Sequence, residues 1–567
     1  MSSAAGLGPS RNQHLVEGVE TVTFVITQRC CDDAACVPVC PVQCIRPRPG
    51  DPDFSSTEQL YIDPLSCIDC GACATACPVD AIFPESDLPP ALTDFSAINA
   101  EYFAAHPLID VSPLPVARHR LPPGLPTLRV AIVGAGPAAL YAAIELSELN
   151  GVEVTLFERL PTPFGLVRAG VAPDHDATKS ITERLGRVLV RPNVQCLFDV
   201  EVGRDVSAAE LLEHHHAVLW ATGASADRKL NIPGEDLVGS VSAQEFVSWY
   251  NGHPDSAARD YSLSGRRAIV IGNGNVALDV ARLLVQPALA YATTSVSDNA
   301  LKAMATSTID EVMVIGRRAQ VFAAYGTAEL AALTRLPEVD LLAEPSEVGV
   351  TDDELEAAAL SGRSWALARR RAIIDDAANR TPTQPRRIIM RYRASPTALL
   401  GNEAVTGLVV AGPDGTSEQL ETSLVIRAVG FRGRPVPGMP FDIERGVLPN
   451  NAGRVVDPQN GRPVRGIYCA GWIKRGPSGV IGTNRVDSAE TVTSLLEDFE
   501  RGNLKAPTHD TGALVRLIRE RQPNVLDVAG WQRIDETELA AGRGQGRSRV
   551  KLLTWEDLRA VGRSDGD

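Results

Sequence analysis

Residues 128–149, LRVAIVGAGPAALYAAIELSEL, decide the fold. Leu128 to Val133 is a short apolar run of strand type, and it passes directly into a turn carrying Gly134, Gly136 and Ala139 before an apolar helix over Leu140 to Leu149. Strand, glycine turn and helix stand in the order that a dinucleotide-binding unit requires, which turns a common G-x-G-x-x-A pattern into a specific one. The next strand, VEVTLFE, ends at Glu158, 24 positions after Gly134. The glycines let the backbone approach a pyrophosphate at a helix N-terminus, and a carboxylate at the second strand end accepts ribose hydroxyls. An acid there suits a free 2′-hydroxyl, so this unit is expected to take FAD or NAD and to disfavour NADP.

A second copy lies downstream. The strand Arg267 to Ile271 leads into GNGNVA, with Gly272, Gly274 and Ala277, and then into a helix over Leu278 to Leu284. Its following strand, EVMVIG, ends in Arg317-Arg318 where the first unit has an acid. Two guanidiniums match a 2′-phosphate in charge and in bidentate geometry, so this unit is expected to bind NADPH. Two dinucleotide sites of different preference imply a flavin and a nicotinamide exchanging a hydride.

Nine of the eleven cysteines fall between Cys30 and Cys77, which leaves only Cys196 and Cys469 elsewhere and marks a local site. The stretch CIDCGACATACP places Cys67, Cys70, Cys73 and Cys77 in the C-x2-C-x2-C-x3-C-P run of two-cluster bacterial ferredoxins. A second Cys-Pro at Cys40-Pro41 fits that symmetry better than a zinc knuckle does. Cys40 then completes a [4Fe-4S] site with Cys67, Cys70 and Cys73, while Cys77 reaches the other cluster. The upstream half, RCCDDAACVPVCPVQC, resembles the seven-iron ferredoxins, whose first cluster is [3Fe-4S] held by three cysteines. That resemblance implies Cys36, Cys77 and one of Cys30 and Cys31, with Cys30 preferred; the spare thiols leave a second [4Fe-4S] cluster open. Cys44 is expected as a buried free thiol beside the cluster.

A chain of 567 residues, 44% apolar, is expected to form three or four domains. The net charge of −15 is concentrated near the start: residues 1–110 hold fifteen Asp and Glu against four Arg and no Lys. This argues against nucleic acid and anionic membranes as partners, and for a basic docking surface on another protein or domain. The first residues lack a secretory pattern and no apolar run nears the length of a membrane span, so the expected compartment is the cytoplasm. Residues 106–127, HPLIDVSPLPVARHRLPPGLPT, read as a Pro-rich, semi-rigid linker after a ferredoxin domain over 1–105. Three consecutive histidines, His214 to His216, read as a helix end.

From Val130 onward several separated stretches, FERLPTPFGLVRAGVAPDH, IPGEDLVGS, VIGNGNVALDVARLL, VIGRRAQ and YCAGWIKRGPSGVIGTN, resemble the adrenodoxin reductase-like ferredoxin–NADP reductases. The whole resembles the actinobacterial fusions of a ferredoxin to such a reductase. The fold class implied is an α+β ferredoxin-like iron–sulfur domain followed by α/β FAD and NADPH domains of the Rossmann kind. In it the FAD domain is discontinuous (128–232 and 430–502), the NADPH domain is inserted (233–429), and 503–567 is an extension without a legible role. The resemblance implies FAD contacts at Ala139, Glu158, Leu166, Val202, Trp472, Gly479, Val480 and Ile481. It implies NADPH contacts at Asn275, Val276, Arg317, Arg318 and Glu329, with Gly479 near the nicotinamide. His175 falls near the flavin, either positioning groups and exchanging protons there or making a local loop hydrogen bond. The activity implied is electron transfer from NADPH through FAD and iron–sulfur clusters to an external acceptor such as a cytochrome P450 or another ferredoxin, or the reverse. The alternative is an iron–sulfur flavoprotein subunit of a larger synthase or dehydrogenase. A dithiol reductase would need C-x-x-C beside the flavin, and Cys196 and Cys469 are solitary.

Overall fold

The computed structural model describes residues 23–109, 111–112, 119–360 and 364–563. The N-terminal 22 residues, part of the Pro-rich linker and the last four residues lie outside the described residues.

Two short antiparallel ladders make the N-terminal module: Phe24–Ile26 against Ile82–Pro84, and Ile45–Arg46 against Tyr61–Ile62. So little sheet cannot bury a core alone. Helix Asp94–Ala105 supplies the rest, laying Phe95, Ile98, Tyr102 and Phe103 against Val25 and Tyr61. Buried Asn99 ties the pieces together. Its Oδ1 accepts from the Ile26 and Ile62 amides at 3.3 and 2.8 Å, and its Nδ2 donates to the Ile26 and Phe95 carbonyls at 2.9 and 2.8 Å. With both donors and its acceptor engaged, the buried amide holds the α+β module together instead of destabilising it.

Among the described residues, seven strands form the first large sheet, in the order Asn450–Asn451, Arg454–Val456, Pro463–Cys469, Ala217–Trp220, Leu128–Val133, Val152–Glu158, Val194–Phe198. Leu128–Val133 is parallel to both neighbours and buried everywhere except at Arg129. A central parallel strand covered on both faces must be apolar throughout, which is why its sequence is a run and not an alternation. The chain leaves this sheet after Trp220 and re-enters it at Asn450–Asn451, with Pro463–Cys469 rejoining the parallel core beside Ala217–Trp220. Between these points lies a second sheet of six parallel strands, in the order Ser240–Ser242, Leu424–Arg427, Arg267–Ile271, Glu311–Ile315, Arg386–Arg391, Val339–Ala343. Outgoing and returning segments are laced by the antiparallel pair Ala226–Asp227 and Phe431–Arg432.

The helices after the glycine turns are Pro137–Ser147 and Asn275–Val285, each starting three residues before the apolar run seen in the sequence. In the first, Pro137 takes the opening position, where a missing N–H leaves nothing unsatisfied. The triple histidine closes helix Ala208–His214, and His215 is buried between the Leu211 carbonyl and Thr155 Oγ1. Residues 503–563 are not a loose extension. They form helices Thr511–Arg521, Val528–Gln545 and Trp555–Arg563, the first two capped by Asp510 and Asp527. Leu526 exchanges backbone hydrogen bonds with Phe198 on the sheet edge, and Trp531, Ile534 and Leu558 join the core of the first sheet. Among the described residues no helix is long and apolar enough to cross a membrane.

Candidate functional site

At the first glycine turn Gly134 adopts φ +106°, and a Cβ there would sit 2.6 Å from the Ala221 carbonyl oxygen, so only glycine fits. Gly136 caps helix Pro137–Ser147 with no side-chain partner and nothing within 4 Å of a built Cβ, leaving an open helix N-terminus. Glu158 anchors the turn: its carboxylate accepts from the Ala135 amide at 2.7 Å and the Leu160 amide at 2.9 Å. Burial holds its pKa above the ordinary carboxylate value. Two further lone-pair positions remain for ribose hydroxyls.

The returning chain closes over this turn. A Cβ on Gly471 would strike the Ala138 side chain at 2.6 Å, and Ser488 Oγ donates to the Ala138 carbonyl at 2.8 Å. Trp472 is fixed twice, by stacking on Phe431 at 5.9 Å between centroids and by donating from Nε1 to the Ser478 carbonyl at 3.0 Å. Gly479, Val480 and Ile481 follow with their surface partly open. Leu166 opens a short helix and is 41% exposed, next to Gly165, which packs on Gly136. Ala139 and Val202 are buried in the cores, so only their backbone is available to a ligand.

The second turn repeats the geometry. Gly272 has φ +118° and would place a Cβ 2.2 Å from the Ala428 carbonyl oxygen. Gly274 caps the helix on which Asn275, Val276 and Ala277 stand, and Asn275 Oδ1 accepts from the Gly326 amide at 2.7 Å. Arg317 and Arg318 are both exposed. Arg318 is steadied by donating to the Phe322 carbonyl and lying over that ring, and neither guanidinium has a carboxylate partner among the described residues. Two uncommitted guanidiniums at a strand end fit a phosphate.

Between the turns, ligating atoms of His175, Asp279 and Glu329 lie within 4.8 Å of one another. Arg282 organises the group, pairing with Asp174 and with Asp279 at 2.9 Å and contacting His175 Nε2 at 3.2 Å. Desolvation pushes Glu329 up to about 7, with the Asp279 charge adding to it. The sequence supplied His175 and Glu329 but not Asp279 or Arg282. Their signal was present as an i,i+3 acid–base pair on the helix that leaves the second glycine turn.

The cysteines form two nests. In the second nest along the chain, Cys40, Cys44, Cys67, Cys70 and Cys73 line one cleft with Phe24, Ile62 and Ile68. Helix Ala72–Ala76 opens at Gly71 in the left-handed conformation, which swings Cys70 and Cys73 toward the same hollow. Cys44 is buried, 3.5 Å from Cys40 Sγ. Hydrogen bonds from Cys44 lower both Cys40 and Cys67 to about 6, whereas its own pKa is driven up. Four converging sulfurs, two of them stabilised as thiolates, fit a cationic iron–sulfur core. The first nest along the chain gathers Cys36, Cys77 and both members of the tandem: Cys36 lies in the field of Cys77, Cys30 in that of Cys36, and Cys31 in that of Cys77. Burial raises all four, as expected for thiols that need a metal's positive charge to deprotonate. Cys196 and Cys469 are buried within the FAD-unit cores, without partners for dithiol chemistry.

The module is docked. The Cys31 carbonyl accepts from the Gly482 amide at 2.7 Å, one residue beyond Ile481. Asp33 accepts from Tyr141 at 2.8 Å and pairs with Arg184, and its carbonyl accepts from Arg485 at 2.7 Å. Asp94 pairs with Arg335 and Glu101 with Arg369 at 2.6 Å on the second unit.

Residues 128–480 match the family model for pyridine nucleotide-disulphide oxidoreductases, and residues 60–83 match that for 4Fe-4S binding domains. A probable ferredoxin/ferredoxin–NADP reductase of Mycobacterium leprae is 45% identical over 549 residues, covering 95% of this chain and 97% of its own. An NADPH-ferredoxin reductase, FprA, of Mycobacterium tuberculosis is 41% identical, covering 76% of this chain and 98% of its own. The solved structure of Mycobacterium tuberculosis FprA in complex with NADPH superposes with a TM-score of 0.71 at 40% identity, over 77% of this chain and 99% of that one.

Proposed function

This chain belongs to the ferredoxin/ferredoxin–NADP reductase family, and from that premise we propose that it moves electrons between NADPH and a one-electron protein acceptor through FAD and its own ferredoxin module. The observation that carries this reading is the docking of the first cysteine loop, Cys31 against Gly482, beside the Gly479 to Ile481 segment assigned to the flavin and nicotinamide. A cytochrome P450 or a separate ferredoxin is an acceptor of the right class.

FAD supplies the exchange between two-electron and one-electron chemistry, and iron–sulfur clusters supply one-electron storage. The chain's own residues bind and orient. Gly134 and Gly136 admit a pyrophosphate to the helix N-terminus, Glu158 fixes the turn that receives it, and Leu166, Ala139 and Val202 line its surroundings. Trp472, locked by Phe431 and Ser478, shields one side of the reacting region from water. Arg317 and Arg318 hold the 2′-phosphate, Asn275 and Val276 present the helix N-terminus, and Glu329 with His175 borders the seam where the two nucleotides meet. Positioning, rather than acid–base catalysis, carries the hydride step. Cys40, Cys67, Cys70 and Cys73 hold a [4Fe-4S] cluster; Cys36 and Cys77, with Cys30 as the preferred third ligand, hold a [3Fe-4S] cluster. Retention of Cys31 at the same nest keeps a four-iron form within reach.

Anaerobic titration with NADPH, followed by visible absorption and low-temperature EPR on the same samples, tests this. Flavin bleaching together with a change in cluster signals supports the internal route, and the line shape separates three irons from four. Bleaching with unchanged clusters would sink it.

A further inference from the structure

The two cysteine nests face different surroundings. The first is fastened to the FAD unit at every approach: Arg29, just before Cys30, accepts from Thr178; Cys31 accepts from Gly482; and Pro78, just after Cys77, accepts from Ser180 at 2.9 Å. Residues 64–76, which carry Cys67, Cys70 and Cys73, make no hydrogen bond or ion pair to the reductase among the described residues. Cys70 is exposed to solvent.

The apolar surface of the module follows the same division. Four large apolar side chains between residues 23 and 109 are exposed: Val39 at 42%, Leu65 at 95%, Ile68 at 58% and Ile109 at 90%. Ile109 lies in the linker that follows the module. The other three adjoin ligands of the second nest, Val39 next to Cys40, Leu65 two residues before Cys67 and Ile68 just after it. Large apolar side chains exposed beside ligands of one nest point to a contact surface. Asp69, exposed between Ile68 and Cys70, has no ion-pair partner among the described residues. The acids that do meet the reductase, Asp33, Glu58, Asp94 and Glu101, lie outside the 64–76 segment.

Building on the electron-transfer reading above, we propose that the first nest is the inner side of the module, and that the rim of Val39, Leu65 and Ile68 around Cys70 is where a basic one-electron acceptor protein docks. The negative balance of the module steers such a partner, and the apolar rim gives the short-lived contact its area. Oxidation of one NADPH releases two electrons and one proton. Two acceptor molecules are therefore each reduced by one electron at this rim, and the proton passes to solvent.

The test uses full-length holoenzyme and cytochrome c, a basic haem protein, as the probe. In Val39→Lys/Leu65→Lys, kcat/KM for NADPH-driven cytochrome c reduction is expected to fall about tenfold or more, because apolar contact is lost and like charge is introduced. Binding of cytochrome c without NADPH, measured by calorimetry at low salt, is expected to weaken in parallel. Val39→Ser/Leu65→Ser removes the apolar contact without new charge and is expected to show a smaller loss in the same direction. The same charge placed at Val190 and Val238, exposed on the reductase, controls for net charge. An equal loss from Val190→Lys/Val238→Lys, or none from the rim variants, overturns the docking surface. Cluster reduction by NADPH, read by EPR, should be unchanged in the rim variants. If the wild-type clusters stay oxidised, the functional reading fails; if they are reduced and the rim variants still behave as wild type, only the docking surface fails.

Discussion

Gly134 and Gly272 hold the same left-handed conformation, donate to the carbonyls of Phe157 and Ile315 at 2.7 and 2.8 Å, and lie under the carbonyls of Ala221 and Ala428. The two units are copies to this level of detail. They part at the following strand end, where one has Glu158 engaged by two backbone amides and the other has Arg317 and Arg318 with no carboxylate partner among the described residues. On the proposed reading, the backbone fixes where a dinucleotide lies, and one or two side chains at the strand end fix which dinucleotide it is. The strongest way to break this comparison is Arg317→Ala/Arg318→Ala. Each charge-assisted bond to phosphate is worth about 1.5–3 kcal/mol, so KM for NADPH should rise about 100-fold or more, with little change in kcat and none in the use of NADH. Steady-state kinetics with both nucleotides decides it, and an equal loss for NADH would refute the phosphate role.

The first unit should respond differently, because its strand-end side chain also holds the fold. Glu158→Ala leaves the Ala135 and Leu160 amides without their acceptor, a destabilisation of about 1–3 kcal/mol for each buried donor. The expected outcome is a lower flavin-to-protein ratio and a lower thermal midpoint, with KM for NADPH nearly unchanged in the fraction that retains flavin. A variant that kept full flavin and wild-type stability would mean that Glu158 is as free as the arginines.

Much of this contrast was legible in the sequence, for reasons that differ by element. Glycine turns are dictated by sterics that no other residue satisfies, so Gly134 and Gly272 could be placed without a structure. The cysteine spacing fixed Cys67, Cys70 and Cys73 because a tight loop brings only those sulfurs to one hollow. What escaped were partners from distant segments. Asp279 and Arg282 gain meaning only when the second helix is folded against His175, and Asp33 looked like one more acid until Tyr141, Arg184 and Arg485 converged on it. The tail after residue 503 was opaque because its helices bury only scattered residues, such as Leu514, Ile518 and Ile534, against a sheet formed 300 residues earlier.

The seam between the units offers a subtler test. Burial raises Glu329 to about 7, so the folded protein binds a proton there that the unfolded chain releases near the ordinary value of 4.5. Its contribution to stability is full below that value and is lost as pH rises through 7. Against Glu329→Gln, which stays neutral, the wild type should be equally stable at pH 4.5. It should fall behind on the order of 2 kcal/mol by pH 8, allowing for partial exposure. Denaturant unfolding across that range measures the gap; a gap independent of pH would show that Glu329 does not titrate between these limits.

The smallest effect concerns how the ferredoxin module leans on the two units. Its ion pairs to the NADPH unit are Arg335–Asp94 and Arg369–Glu101, whose acids are 46% and 44% exposed, whereas on the FAD unit Asp33 is 2% exposed under Arg184 and Tyr141. Exposed pairs are worth about 0.2–1 kcal/mol and are screened by salt; a buried carboxylate stripped of its partner is far more costly. Arg335→Ala/Arg369→Ala should therefore slow cluster reduction by NADPH only about twofold, and raising ionic strength should reproduce that loss in the wild type without adding to it in the variant. Arg184→Ala should cost more and remain as costly at high salt. Stopped-flow cluster reduction at low and high ionic strength separates the two contacts. If salt slowed the double variant as much as the wild type, the charges that salt screens would have to lie on the FAD side, and the division of the interface into a screened half and a buried half would be wrong.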